Sequence, residues 1–306
     1  MTKLRANAKL LLTGEYLVLL GAKAIALPLR FGQELTTRKG DNQYISWDSE
    51  DINGCWFSAT FNGQGEAIEG SSREASRFVS TILRETELLS PGFLARLTGQ
   101  KVIVTADFDL SWGLGSSSSL ISLVAQLADV DPFMLHRRVS AGSGYDVIAA
   151  QQSCPFMFHL ADGSSEHSPV ALPSFFNKHL FFAYLGKKQE TATNVSQFLS
   201  TSTTVEPILV NTISDISLRI PHVASVGELC QLVEQHEKVI SKILGTDSIK
   251  KASFPDFNGC TKSLGTWGGD FALFCSEEPE SYVRAYIEGK GLSPLFRFDE
   301  IVLKYD

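Results

Sequence analysis

Residues 111–120 read SWGLGSSSSL, two glycines and four consecutive serines between the strand-like KVIVTADFDL and the helical SLISLVAQLADV. The first turn of a helix presents N–H groups without intrahelical partners and the positive end of the helix dipole. Small residues there let an anion approach the backbone closely, and hydroxyls add donors or an oxygen ligand for a hard cation. In physical terms this is a phosphate cradle. The plainer reading is a tight turn followed by a serine cap. One serine satisfies a cap, so four serines and two glycines exceed that need. The stretch is not a Walker A loop, because no Gly-Lys-Ser/Thr follows, and it is not GxGxxG. Serine nucleophile chemistry is set aside: there is no GxSxG elbow, and none of the six histidines is visibly paired to the serines.

Three further segments combine glycine with chemically useful neighbours. KLLLTGEYLVLLGA (9–22) lies near the start, GSGYDVIAA (142–150) places an aspartate just after two glycines, and KSLGTWGGD (262–270) lies towards the end. The elements that must position them read as an α+β chain. KLLLTGEYLVL, AIALPLRFGQELTTR, YISWDS and CWFSATFNG have β-rich composition or alternation. Residues 71–90 have apolar residues at helical spacing with Ser and Glu near the start. Polar, proline-containing DGSSEHSPVALPSFFNK (near 163–178) reads as a linker, which predicts two halves, 1–165 and 175–306. In the second half LFFAYLGKKQET is strand-like. Helical patterns lie near 192–200, 206–218, 226–245 and 279–289, and a closing strand is expected near 295–303.

Composition narrows the class. The chain has 306 residues, 43% of them hydrophobic, and a net charge of -7, which disfavours a nucleic-acid partner. No stretch approaches the roughly 20 apolar residues of a membrane span. The N-terminus loosely imitates a signal peptide, but Gly14 and Glu15 interrupt its apolar run, so it reads as part of the fold and the expected location is cytoplasmic. Five scattered cysteines without a CxxC pair indicate neither a zinc site nor a disulfide framework, and buried free thiols are expected.

Taken in order, these four segments resemble the GHMP kinases, a family named for galactokinase, homoserine kinase, mevalonate kinase and phosphomevalonate kinase. The resemblance covers nearly the whole chain. WGLGSSSS is similar to the family's phosphate loop, NAKLLLTGEYLVLLGAKAIALPL to its N-terminal motif, GSGYD to its aspartate segment and KSLGTWGGDFAL to its C-terminal glycine motif. The resemblance implies an N-terminal domain like ribosomal S5 domain 2 and a ferredoxin-like C-terminal domain. It implies ATP and Mg²⁺, with the ATP phosphates over Gly113, Leu114, Gly115, Ser116, Ser117, Ser118 and Ser119. Gly265, Gly268 and Gly269 would admit backbone close to the nucleotide, and Lys262 would meet a phosphate, unless it is a surface lysine. Asp146 is implied as the base that takes the acceptor's proton, with Lys9 as its charge partner. Taken alone, Asp146 is also an ordinary turn aspartate and Lys9 a solvated lysine at a strand start. Ser117 is the first choice for a magnesium ligand.

Departures from the family pattern also carry information. Ala6-Asn7-Ala8-Lys9 lacks the usual Pro-Gly, and Ser111-Trp112 replaces a proline. The position of the metal-binding glutamate of mevalonate kinases is Leu135, followed by His136. Trp267 stands where alanine or glycine is common. GEY in the first motif and the GYDVIAA run resemble phosphomevalonate kinases and a bacterial subgroup known by a Gly-Tyr-Asp-Ile-Ala segment. The favoured acceptors are mevalonate and 5-phosphomevalonate; a phosphorylated acceptor needs extra cationic groups, for which Arg30, Arg137, Lys187 and Lys188 are available. A sugar or amino-alcohol acceptor and a nucleotide-binding module without catalysis are the alternatives. The partners expected are ATP and a small acceptor, with a monomer or homodimer as the assembly.

Overall fold

The computed structural model describes residues 2–186, 198, 205–265 and 270–304. The chain forms two compact units that interleave in sequence. One comprises Met1–Ala8, Phe31–Leu110 and Gly115–Gln151, the other Lys9–Arg30, Ser111–Leu114 and Gln152–Asp306. The sequential split expected near 165–175 is not the division that compactness gives. Strands β1 (Thr2–Leu11) and β2 (Ala24–Lys39) pair with each other, and each contributes residues to both units.

In the first unit, β3 (Ile45–Asp51), β4 (Gly54–Phe61) and β5 (Ala67–Gly70) are followed by helices α1 (Arg73–Leu89) and α2 (Phe93–Leu97). Strand β6 (Gln100–Ala106), α3 (Ser116–Ala128), α4 (Pro132–Val139) and α5 (Tyr145–Ala149) complete it. The strand order is β5-β4-β3-β6-β2, with β3 and β6 parallel and the other pairs antiparallel. Alternation puts Ile45 and Trp47 of β3 and Phe57, Ala59 and Phe61 of β4 inside. They share a core with Val79, Ile82 and Leu83 of α1 and Leu120, Leu123 and Val124 of α3. Ser72 caps α1, its hydroxyl accepting the Ala75 N–H at 3.3 Å, so the cap foreseen for 71–90 is present.

The second unit contains β7 (Phe156–Ala161) and β8 (Ser164–Pro169), a hairpin whose first strand pairs with Ala24–Ala26 of β2. The linker expected at 163–178 is therefore corrected: its first part is an edge strand, polar because all of it but Ser165 is exposed. Helix α6 (Phe176–His179) leads into β9 (Leu180–Tyr184), then α7 (Pro207–Arg219), α8 (Val226–Leu244), α9 (Ile249–Ser253) and β10 (Cys260–Leu264). Next come β11 (Phe271–Cys275), α10 (Glu280–Gly289), β12 (Leu295–Arg297) and α11 (Phe298–Ile301). The four-stranded antiparallel sheet runs β10-β11-β9-β12. Helices between the first and second and between the third and fourth strands make this the ferredoxin-like arrangement. The closing strand expected to 303 ends at Arg297, because Glu300 accepts the Arg297 N–H at 2.8 Å and starts α11. The helix expected near 192–200 falls on residues of which only 198 is described. No helix among the described residues is long and apolar enough to cross a membrane.

Candidate functional site

In the first unit, Gly115 (φ 91°) is the N-cap of α3, and Ser116–Ser119 form its first turn. The four serines divide into two pairs. The Ser118 hydroxyl donates to the Gly115 carbonyl at 2.8 Å, and the Ser119 hydroxyl reaches Gln33 Oε1 at 3.0 Å. Both are buried and spent on local structure. Ser117 is exposed and Ser116 half-buried. The polar surplus noticed in the sequence thus resolves into two buried structural hydroxyls and two serines that keep some exposure.

Asp146 lies in the first turn of α5, which packs against α3. Its Oδ1 accepts the Val147 N–H at 3.0 Å. Gly144 turns the chain into α5 with φ 83°, and a Cβ there would stand 2.6 Å from Phe133, so only glycine fits. His136, 2% exposed, reaches the Gly142 carbonyl through Nε2 at 3.2 Å and steadies the same turn. Leu135, where a metal-binding glutamate was sought, is fully buried in the core and offers no ligand. Asn7 of the first motif donates its N–H to the Ala150 carbonyl at 2.8 Å, tying β1 to the end of α5.

In the second unit, Lys9 is bound to the other end of the glycine loop twice. Its N–H donates to the Leu114 carbonyl at 2.9 Å, and its ammonium reaches the Gly113 carbonyl at 3.4 Å. Gly113 (φ 69°) faces Asp270, whose carboxyl carbon would be 2.2 Å from a Cβ at that position. Gly265 also lies near the Asp270 carboxylate, with 3.6 Å from a notional Cβ to Oδ2. Asp270 was not singled out in the sequence; its sole signal was its place at the end of a glycine run. Gly268, Gly269 and Trp267, like Lys187 and Lys188, lie outside the described residues. Arg30 and Arg137 are exposed.

Lys262 is neither exposed nor turned to solvent. Its ammonium, 1% exposed, pairs with Glu15 of the GEY motif, 3% exposed, and also donates to the Ser263 carbonyl at 3.0 Å. His236 of α8 stands 3.2 Å from Glu15 Oε2, and its Nε2 accepts the Gly14 N–H at 3.1 Å. A nitrogen that accepts carries no proton, so this imidazole is neutral with its proton on Nδ1. Burial, with the Lys262 charge, pushes His236 down to about 4. Burial pushes Glu237 up to about 7, although Ile249 and Ser263 each donate an N–H to it at 3.3 Å. Burial would raise Glu15 too, but the Lys262 charge outweighs it and holds Glu15 below its ordinary value.

Glu237 and His236 give the unit opposite pH responses. Glu237 holds its proton in the folded chain up to about pH 7, whereas an exposed glutamate loses it near 4.5. Its contribution is full below pH 4.5 and is lost as pH rises to 7. His236 contributes fully above pH 6.5, and that contribution is lost as pH falls to about 4. Between about pH 4.5 and 6.5 the two slopes, each about 1.4 kcal/mol per pH unit, cancel. Glu237→Gln is expected to expose the histidine slope, so that stability from urea unfolding falls on acidification across this range more steeply than in the wild type. Parallel profiles for the two proteins would contradict this reading.

No family model matches this sequence, and no curated protein matches it. Solved structures do share its architecture, and the fold is that of the GHMP kinases. Streptococcus pneumoniae phosphomevalonate kinase, in complex with phosphomevalonate and AMPPNP, has a TM-score of 0.71 at 16% identity, covering 97% of this chain and 100% of that one. Methanococcus jannaschii mevalonate kinase gives 0.69 at 14% identity, covering 99% and 98%. A D-glycero-D-manno-heptose 1-phosphate kinase from B. thetaiotaomicron gives 0.67 at 12% identity, covering 99% and 97%.

Proposed function

We propose that this chain is a GHMP-type kinase that transfers the γ-phosphoryl group of ATP to a small acceptor, with mevalonate or 5-phosphomevalonate favoured. One observation carries the reading: four glycine segments lie in sequence order on a fold shared over the whole chain with kinases of this kind. The α3 N-terminus supplies backbone N–H groups and a dipole for the ATP phosphates, and Ser116 and Ser117 add hydroxyls. Asp146 accepts the proton of the acceptor hydroxyl as its oxygen bonds to the γ-phosphorus and the bond to ADP breaks. Lys9 holds Gly113 and Leu114 in place and brings positive charge to the loop.

The donor set at α3 fits magnesium, because Ser117 offers an exposed oxygen and Mg²⁺ takes few protein ligands while keeping several waters. Bound there, the ion would neutralise phosphate charge. Ser117→Ala is expected to raise the half-saturating Mg²⁺ concentration at least about tenfold. Ser118→Ala, which removes a buried hydrogen bond, should instead cost about 1 kcal/mol of stability and leave the Mg²⁺ requirement unchanged.

The heptose 1-phosphate kinase among the structural neighbours motivates a sugar acceptor as the second reading. Release of ADP from Mg-ATP with mevalonate, 5-phosphomevalonate, galactose and homoserine, each tested singly, separates the readings. Turnover with either of the first two supports the favoured acceptors, and turnover with galactose alone replaces them. ATP binding without turnover in any arm would favour a module that binds nucleotide without transferring it, a reading that buried Leu135 motivates.

A further inference from the structure

The second unit holds a cluster that no step above uses. Cys260 on β10 and Cys275 on β11 are register partners on neighbouring antiparallel strands, so their side chains share one face of the sheet. Cys230 of α8 meets them there, and the three sulfurs lie within 4.8 Å of one another. Cys260 and Cys275 are fully buried, and Cys230 is half-buried. Cys230 and Cys260 are joined as a disulfide, and Cys275 is a free thiol. The expectation of free thiols throughout is thereby corrected. The reason it failed is tertiary: the disulfide joins cysteines 30 residues apart, brought together by α8 crossing the sheet.

We propose that the reduced form of this cluster is a three-thiolate site for one soft, thiophilic cation of the zinc class. Zn–S bonds are about 2.3 Å, so three sulfurs around one ion stand about 4 Å apart. The cluster has that spacing available once its S–S bond is opened. An all-sulfur donor set selects such ions and rejects magnesium and calcium. The half-buried side at Cys230 gives the ion a way in and leaves a fourth position for water. Three thiols release three protons to solvent for each ion bound. The disulfide form holds none, because two of its three sulfurs are bonded to each other. An ion here would tie α8 to the strands that flank residues 265–270, which carry the third glycine segment. This proposal is independent of the kinase reading.

The probe is Cd²⁺, added without oxygen to the full chain. The chain is first reduced by a trialkylphosphine, which with water supplies the two electrons and two protons of the disulfide and becomes the phosphine oxide. Thiolate-to-cadmium absorption is expected to rise to a plateau at one ion per chain. Unreduced protein should give no plateau, and Cys275→Ser should weaken binding at least 100-fold. Cys154→Ser, in a buried cysteine elsewhere, should leave the plateau intact. Should Cys275→Ser unfold, alkylation of the reduced wild type gives the same answer. Cd²⁺ is expected to slow iodoacetamide labelling of Cys230 at least tenfold while exposed Cys55 reacts unchanged. No plateau in folded, reduced protein, a plateau that survives Cys275→Ser, or equal labelling of Cys230 with and without Cd²⁺ would overturn the proposal.

Discussion

Asp146→Asn is expected to lower kcat by about 10²- to 10⁴-fold while the Kd for Mg-ATP stays within about threefold of the wild type. The substitution keeps the shape of the side chain and an acceptor oxygen for the Val147 N–H, so the first turn of α5 survives. What it removes is the group proposed to take a proton from the acceptor hydroxyl. Pre-steady-state ADP release and calorimetric ATP titration separate the two quantities. Unchanged turnover would remove Asp146 from the base role. Loss of ATP binding together with turnover would make it a structural residue of the turn that Gly144 and His136 build.

The second large effect concerns the buried pair between Glu15 and Lys262. Lys262→Met is expected to cost about 3–5 kcal/mol, because it leaves the Glu15 carboxylate buried without its cation and facing a neutral imidazole. Glu15→Gln should cost a similar amount for the converse reason. The double variant should cost much less than the sum, because no unpaired charge then remains. Urea unfolding of the three variants measures this. The expectation that Lys262 meets a phosphate makes the opposite demand: Lys262→Met would weaken ATP binding with little loss of stability. A stability within about 1 kcal/mol of the wild type, with ATP binding weakened tenfold or more, would favour the phosphate role.

The parts of the fold that rest on local pattern were legible. The apolar periodicity and serine cap of 71–90 became α1, and the boundary between β6 and α3 fell where the glycines and serines stand. The ferredoxin-like arrangement of the second half was expected from the family resemblance rather than from local pattern. What stayed hidden depends on partners far away in sequence. Nothing local distinguishes Ser117, facing solvent, from Ser118, which is buried on the Gly115 carbonyl. A lysine in a strand before a glycine run reads as exposed until Glu15, 247 residues earlier, is seen to reach it. Polar residues 164–169 read as a linker because an exposed edge strand and a linker share a composition. Asp270 escaped notice because its closeness to Gly113 is a tertiary fact.

Transfer of the γ-phosphoryl group to an acceptor is the proposed activity. The most direct measurement uses Mg-ATP carrying oxygen-18 on its γ-phosphoryl group, incubated with the protein and all four acceptors together and followed by mass spectrometry. The label is expected on one acceptor, in amounts equal to the ADP formed, and Asp146→Asn is expected to slow its appearance by about 10²- to 10⁴-fold. Label recovered only in inorganic phosphate, or retained in ATP by protein that binds it, would contradict the account.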